Sequence, residues 1–266
     1  MIDVEHVTQW ECPDENGAPI LVMPNVPRPL HGKGMQPRTI YGNTVWNFMR
    51  KKAYMNANYK CEICGCEPTK GNLHAHELFR YDYLKQEGEF VRVVAICRDC
   101  HNFIHSGRLQ SLYKRRNPLC PKKYLLHVVE HGFKIVHEYN KHHNNKLRVY
   151  STIKDYMRDP SLKDEISELI DRYEISFYEE HIPKRLRWKG WHVIVDGKRY
   201  NSPFNSQSDW ERAMIEMDMK DTVRTVQDPF KGKGFDTINE ILKEAEVAEK
   251  IAGCKPGSRI SKKASK

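Results

Sequence analysis

Residues 61–64, Cys-Glu-Ile-Cys, and residues 97–101, Cys-Arg-Asp-Cys-His, decide the reading of this chain. Between them run Leu73-His-Ala-His-Glu-Leu78 and Val91-Arg-Val-Val-Ala-Ile-Cys97, and Asn102-Phe-Ile-His105 follows. Four thiolates from two C-x-x-C pairs suit the tetrahedral preference of zinc, with bonds of about 2.3 Å. The first fifteen residues are acidic and hold no apolar run of the signal-peptide kind. A reducing cytoplasm is therefore expected, and metal knuckles rather than disulfides. Cys12, Cys66, Cys120 and Cys254 are scattered. Cys66 could compete for ligation, but the i, i+3 spacing favours Cys61 and Cys64.

Working outward, Leu73–Leu78 and Phe90–Ile96 read as strands, with a turn at Gln86-Glu87-Gly88-Glu89. Asp99 is a natural cap for a short helix that Gly107 would end. Four cysteines close a coordination shell and do no hydrolysis. The histidines change the reading. His101 and His105, four apart on a helix, point one way and can grip one ion. His76 is the candidate third ligand from across the hairpin, whereas His74 is expected at the surface. Such a site leaves positions for water and a phosphate oxygen. A divalent ion there stabilises the charge developing on a scissile phosphate, and a neighbouring base deprotonates the attacking water.

The segment CEIC…LHAHEL…VRVVAICRDCHNFIH resembles the HNH (His-Me finger, ββα-metal) endonucleases of the zinc-stapled kind found in bacteriophages and mobile elements. NVPRPLHGKGMQPRTIYG and CHNFIHSGRL resemble a phage-type subgroup, and the likeness covers about Pro24 to Leu109. It implies an α+β fold: a ββα-metal core stapled by a four-cysteine zinc site, with added α-helices and a C-terminal β-hairpin–helix module. It implies metal-dependent cleavage of DNA phosphodiester bonds, double-stranded DNA as partner, structural Zn2+, and Mg2+, Mn2+ or another divalent ion for catalysis. The implied setting is a bacterial cytoplasm, with the chain phage-encoded. In the family a D/H-H doublet supplies a metal ligand and then the general base. His76-Glu77 fills those slots, which makes Glu77 the candidate base. The other register makes His76 the base and leaves Ala75 in the ligand position. Where the family has a central Asn, five residues before the second knuckle, this chain has Arg92. Arginine cannot accept a hydrogen bond, though it can contact a phosphate. Asp82 is a second candidate for orienting a ligand or base. These departures leave open an alternative: an HNH-fold zinc protein that binds nucleic acid or a protein partner without cutting.

The 266 residues allow one or two domains. With 39 % apolar and 30 % charged residues, the chain can bury a core, and it has no stretch suited to a membrane span. The net charge is +9, but residues 250–266 carry six of the basic residues and no acidic one. Without that tail, 38 basic residues face 35 acidic ones, and charge alone argues weakly for nucleic acid. The clusters Lys114-Arg115-Arg116 and Lys184-Arg185 with Arg187-Trp188-Lys189 are the candidate nucleic-acid contacts, with Arg92. Trp188 and Trp191 offer base stacking.

The expected organisation is a Pro/Gly-rich extended arm over 1–43, an HNH nuclease domain over 44–112, a helical region over 113–183, a β-hairpin–helix module over 184–226, and a helix with basic tail over 227–266. A helix from Asn43 or Thr44 to about Asn58 would bury Trp46, Met49 and Ala53. A second, Lys122 to Tyr139, carries His127 and His131, read as an ordinary helix face. A third, capped by Ser161, shows Ile166, Leu169, Ile170, Tyr173 and Phe177. Trp191-His-Val-Ile-Val195 runs into Asp196-Gly197, the type I′ hairpin signal. Ser208 and Glu211 form a capping box for a helix through Met217, and a final helix is expected from Thr237 to Gly253.

Overall fold

A computed structural model describes residues 4–32, 34–69, 72–144 and 146–216. Met217, the Thr237–Gly253 helix, Cys254 and the basic tail lie outside them. The chain is a mixed α+β structure. Val4–Val7 (β1) and Gln9–Trp10 (β2) open it, followed by Ala18–Leu21 (α1) and Pro37–Asn56 (α2). Leu73–Asp82 (β3) and Glu87–Cys97 (β4) form the long hairpin. Arg98–Ile104 (α3), Ser106–Lys114 (α4) and Lys122–His142 (α5) come next. Val149–Tyr150 (β5), Lys163–Arg172 (α6), Phe177–Glu180 (β6), His192–Val195 (β7) and Lys198–Asn201 (β8) follow. One sheet runs β2-β3-β4-β7-β8 and the other β1-β6-β5. Among the described residues no helix is long and apolar enough to cross a membrane.

The expected surface arm is instead built into the fold. β1 pairs in parallel with β6, β2 pairs with the end of β3, and Ile20, Leu21, Val22 and Met23 are buried. The Pro/Gly content had hidden this apolar run (Pro19 to Met23), whose burial supplies part of the core. Nor is the 192–201 hairpin separate. β7 pairs in parallel with β4, Glu87 to His192, and thereby widens the same sheet. Asp196 and Gly197 both have positive φ, 49° and 71°, as a type I′ turn demands.

Several boundaries move. α2 starts earlier than expected, with a kink at Gly42 (φ 74°, ψ 168°), and buries Trp46 and Ala53. The hairpin strands run longer, and the turn sits at Tyr83–Gln86. There Asp82 Oδ1 accepts from the Leu84 and Lys85 N–H groups at 3.1 and 2.9 Å. Gly107 ends no helix; the break is at His105, which closes α3 and opens α4. α6 is preceded by Leu162, and Phe177 belongs to β6. The helix over 207–216 is capped by Ser206, whose Oγ accepts from the Asp209 N–H at 3.2 Å, so Ser208 is not its cap.

Successive side chains of a strand point to opposite faces. On β3, His74, His76 and Leu78 share one face, and Ala75, Glu77, Phe79 and Tyr81 the other. α2 covers the second face: its Tyr41 meets Phe90 at 6.1 Å, and Phe90 meets Phe79 at 5.8 Å. α3 lies against the hairpin and is backed by α5. That contact needs Gly132, because a Cβ there would overlap the Phe103 ring.

Candidate metal centres

The first centre is built by two tight turns. Gly65, with φ 70°, lets the chain fold back so that Cys61 N–H donates to the Cys66 carbonyl at 2.9 Å. Cys97 caps α3, its Sγ accepting from the Cys100 N–H at 3.5 Å. The Sγ atoms of Cys61, Cys64, Cys97 and Cys100 all lie within 4.8 Å of one another. None is in a disulfide. Cys64 and Cys97 Sγ are 3.8 Å apart. With bonds of about 2.3 Å, the edge of a tetrahedral zinc–thiolate site is about 3.8 Å, so the cluster fits that metal. Cys66 is exposed and outside the cluster. Hydrogen bonds from Cys100, then Cys64 and Cys97, lower the Cys61 thiol.

Arg92 is spent on this centre. Its Nη1 lies 2.8 Å from Glu62 Oε2, between the two cysteines of the first knuckle, and its Nη2 donates to the Glu15 carbonyl. Glu62 in turn accepts from the Ala95 N–H at 2.6 Å. Arg92 therefore pins the knuckle and the 15–16 segment to β4 and is not free for a phosphate, contrary to expectation.

The second centre draws on His101, the residue after Cys100 in α3, and on His105 at the helix C-terminus. His76 Nε2 or Nδ1 and the ring nitrogens of His101 and His105 come within 4.8 Å of one another. Ring centroids stand 5.3, 4.9 and 4.7 Å apart for His76–His101, His76–His105 and His101–His105. The rings are steeply inclined, by 76°, 69° and 84°, so they surround a common point instead of stacking. His76 is buried, and its Nε2 has no hydrogen-bond partner. A buried polar atom left unpaired is costly, and a cation would satisfy it. Burial first, then neighbouring positive charge, lowers His101 to about 3 and His105 to about 4, and His76 well below its ordinary range. Neutral imidazoles keep the lone pairs that ligation needs.

Other expected residues stay apart. Glu77 is on the opposite face of β3, toward Arg38 and Tyr81, and is not among the clustered ligand groups. Asp82 is occupied by the hairpin turn and by Gln9 and Lys85, at 2.9 and 3.1 Å. Lys114, Arg115, Arg116, Arg185 and Arg187 are exposed. Trp191 is fully buried, its Nε1 donating to the Leu186 carbonyl at 2.8 Å, so it stacks on no base. Trp188 leans on Trp210 at 6.3 Å.

Three residues were missed. His74 stacks on His101, centroids 4.9 Å apart, and is only partly buried. Arg108, exposed on α4, lowers His74, His101 and His105 by its charge. His131 places Nε2 3.5 Å from Cys100 Sγ, while Tyr124 and His127 hold Asp99 at 2.9 and 3.4 Å. The i, i+4 spacing of His127 and His131 was the available signal. No family model matches the chain, and neither the curated proteins nor the solved structures searched contain a match.

Proposed function

We propose that the chain is a metal-dependent endonuclease of the HNH kind that hydrolyses DNA phosphodiester bonds. The observation that carries this reading is the convergence of His76, His101 and His105 on one point, beside a separate four-cysteine cluster that α3 joins through Cys100. The cysteines hold a structural zinc, and the histidines hold a divalent ion. Bound there, such an ion supplies Lewis-acid stabilisation of a phosphate and its leaving oxygen.

The chain's own groups do the rest. β3 and the α3–α4 break fix the three imidazoles in position before any substrate arrives, which limits reorganisation. Arg108, exposed beside the cluster and without an ion pair among the described residues, is placed to hold a phosphate oxygen. Glu77 faces away, so the proton of the attacking water goes to the histidine side, where His74 lies on His101 at the open edge. The test is plasmid nicking with Mg2+, Mn2+ or Ni2+, alongside elemental analysis. Wild type is expected to cut, and His101→Ala to keep its zinc and lose cutting. Equal cutting by His101→Ala sinks the assignment.

A second reading is a binding protein that grips nucleic acid or a protein partner without cleavage. It is favoured by the two off-pattern residues, Glu77 and Arg92, both engaged away from the histidines. Strongly salt-dependent DNA binding with no nicking in any metal selects it.

A further inference from the structure

Three of the five tryptophans, Trp10, Trp46 and Trp191, are buried. The other two, Trp188 and Trp210, are only partly buried and stand 6.3 Å apart, centroid to centroid. Arg28 places its guanidinium 5.6 Å from the centre of the Trp210 ring, and the His31 ring lies 6.3 Å from it. Residues far apart in sequence therefore meet in one aromatic and cationic patch. A buried indole N–H usually finds an acceptor. The Trp210 Nε1 is buried with none, so no hydrogen bond of the fold accounts for the position of this ring.

The patch is held firmly and sits close to the histidine helices. The Leu186 carbonyl accepts from Gln86 Nε2 at 2.7 Å and from Trp191 Nε1 at 2.8 Å, which fixes the turn that carries Trp188. Ser202 Oγ donates to the Pro29 carbonyl at 2.6 Å. Asn25 Nδ2 donates to Thr152 Oγ1 at 3.0 Å, and Thr152 packs beside Gly107, two residues past His105. From Asn25 to Arg28 the chain spans at most about 11 Å. A strand lying on His105 and Arg108 therefore reaches Trp210 within a few nucleotides. The charge around the patch is one-sided. Arg28, Arg185 and Arg187 are exposed and make no ion pair among the described residues, whereas Arg80, Arg92 and Arg172 are each paired with carboxylates. Residues 17–38 and 181–195 hold three and four basic residues and no acidic one.

Unpaired guanidiniums hold phosphates, and accessible aromatic rings stack on bases whose faces are open. Inside a duplex each base face is covered by its neighbours, so such rings select an unpaired base. We propose that Trp210, with Trp188 and Arg28, is a stacking site for an unpaired base of the DNA strand held at the histidine centre. The choice of strand rests on the nuclease reading, while the stacking itself is independent of cleavage.

The test titrates the full, zinc-loaded chain, without added divalent ion, with two strands of about twelve nucleotides, oligothymidylate and an abasic strand that keeps the phosphates. Tryptophan emission reads stacking, because Trp188 and Trp210 are the two rings that are not buried. Oligothymidylate is expected to quench the emission and to bind at least about tenfold tighter than the abasic strand. Trp210→Ala is expected to erase that preference with zinc content unchanged, and Trp210→Phe to keep most of it. Arg28→Gln is expected to weaken both strands and to lower the salt slope by about one. Equal affinity for the two strands, or a preference that survives Trp210→Ala, overturns the proposal. Tighter binding of oligoribouridylate than of oligodeoxyuridylate also overturns it, assigning the rings to RNA. Plasmid left uncut in every metal while the base preference stands sinks the nuclease reading and leaves the stacking site in place.

Discussion

His131 Nε2 lies 3.5 Å from Cys100 Sγ, which ties α5 to the thiol cluster through a side chain 31 residues away. Partners of this kind orient ligands and typically change metal affinity by roughly 10–100-fold. His131→Phe is expected to fold and bind zinc, but to release it to a chelator at least about tenfold faster, whereas His131→Gln retains most of the effect. Equal release rates for wild type and His131→Phe would show that the contact is incidental.

The two faces of β3 separate the roles of neighbouring residues. Glu77→Gln is expected to leave plasmid cutting within about threefold of wild type, because its carboxylate is remote from the histidines. His74→Ala is expected to slow cutting by about 10²–10⁴ without loss of the bound divalent ion. Rates and metal content measured together distinguish this from loss of a ligand. A large effect of Glu77→Gln would reverse the assignment.

Gly132 permits the approach of α5 to α3, and a Cβ would run into Phe103 Cδ2. Forcing a methyl into a packed contact costs about 1–3 kcal/mol or more. Gly132→Ala should therefore lower the urea midpoint, although alanine is the better helix former. A raised midpoint would show that Phe103 can move aside freely.

Folding keeps His101 and His105 neutral, lowered from 6.5 to about 3 and about 4. In the unfolded chain both titrate near their ordinary value. As pH falls below 6.5 the unfolded state takes up protons first, so stability is complete above pH 6.5 and declines down to about 4 and then 3. A His101→Phe, His105→Phe double variant is expected to lose less stability than wild type between pH 7 and 5. Parallel pH profiles of the urea midpoint would contradict the burial of these rings.

Much of the arrangement was legible where spacing alone sets geometry. Two C-x-x-C pairs and the His101–His105 step depend on one turn each, and both clusters form, the second with His76 from β3. The type I′ turn at Asp196-Gly197 was legible for the same reason. What failed depended on distant packing. Arg92 looks like a misplaced catalytic residue until Glu62 and Glu15 are seen beside it. His131 looks like a surface histidine until α5 is laid on α3. Glu77 was expected beside His76 from the doublet pattern, but strand alternation turns its side chain toward Arg38 and Tyr81, outside the histidine cluster.

Cys100 and His101 are consecutive residues in the first turn of α3. If the thiolates hold a cation, an oxidant that strips it away loosens the same turn that aims an imidazole. The histidine cluster would then inherit the redox vulnerability of sulfur, although no sulfur atom belongs to it.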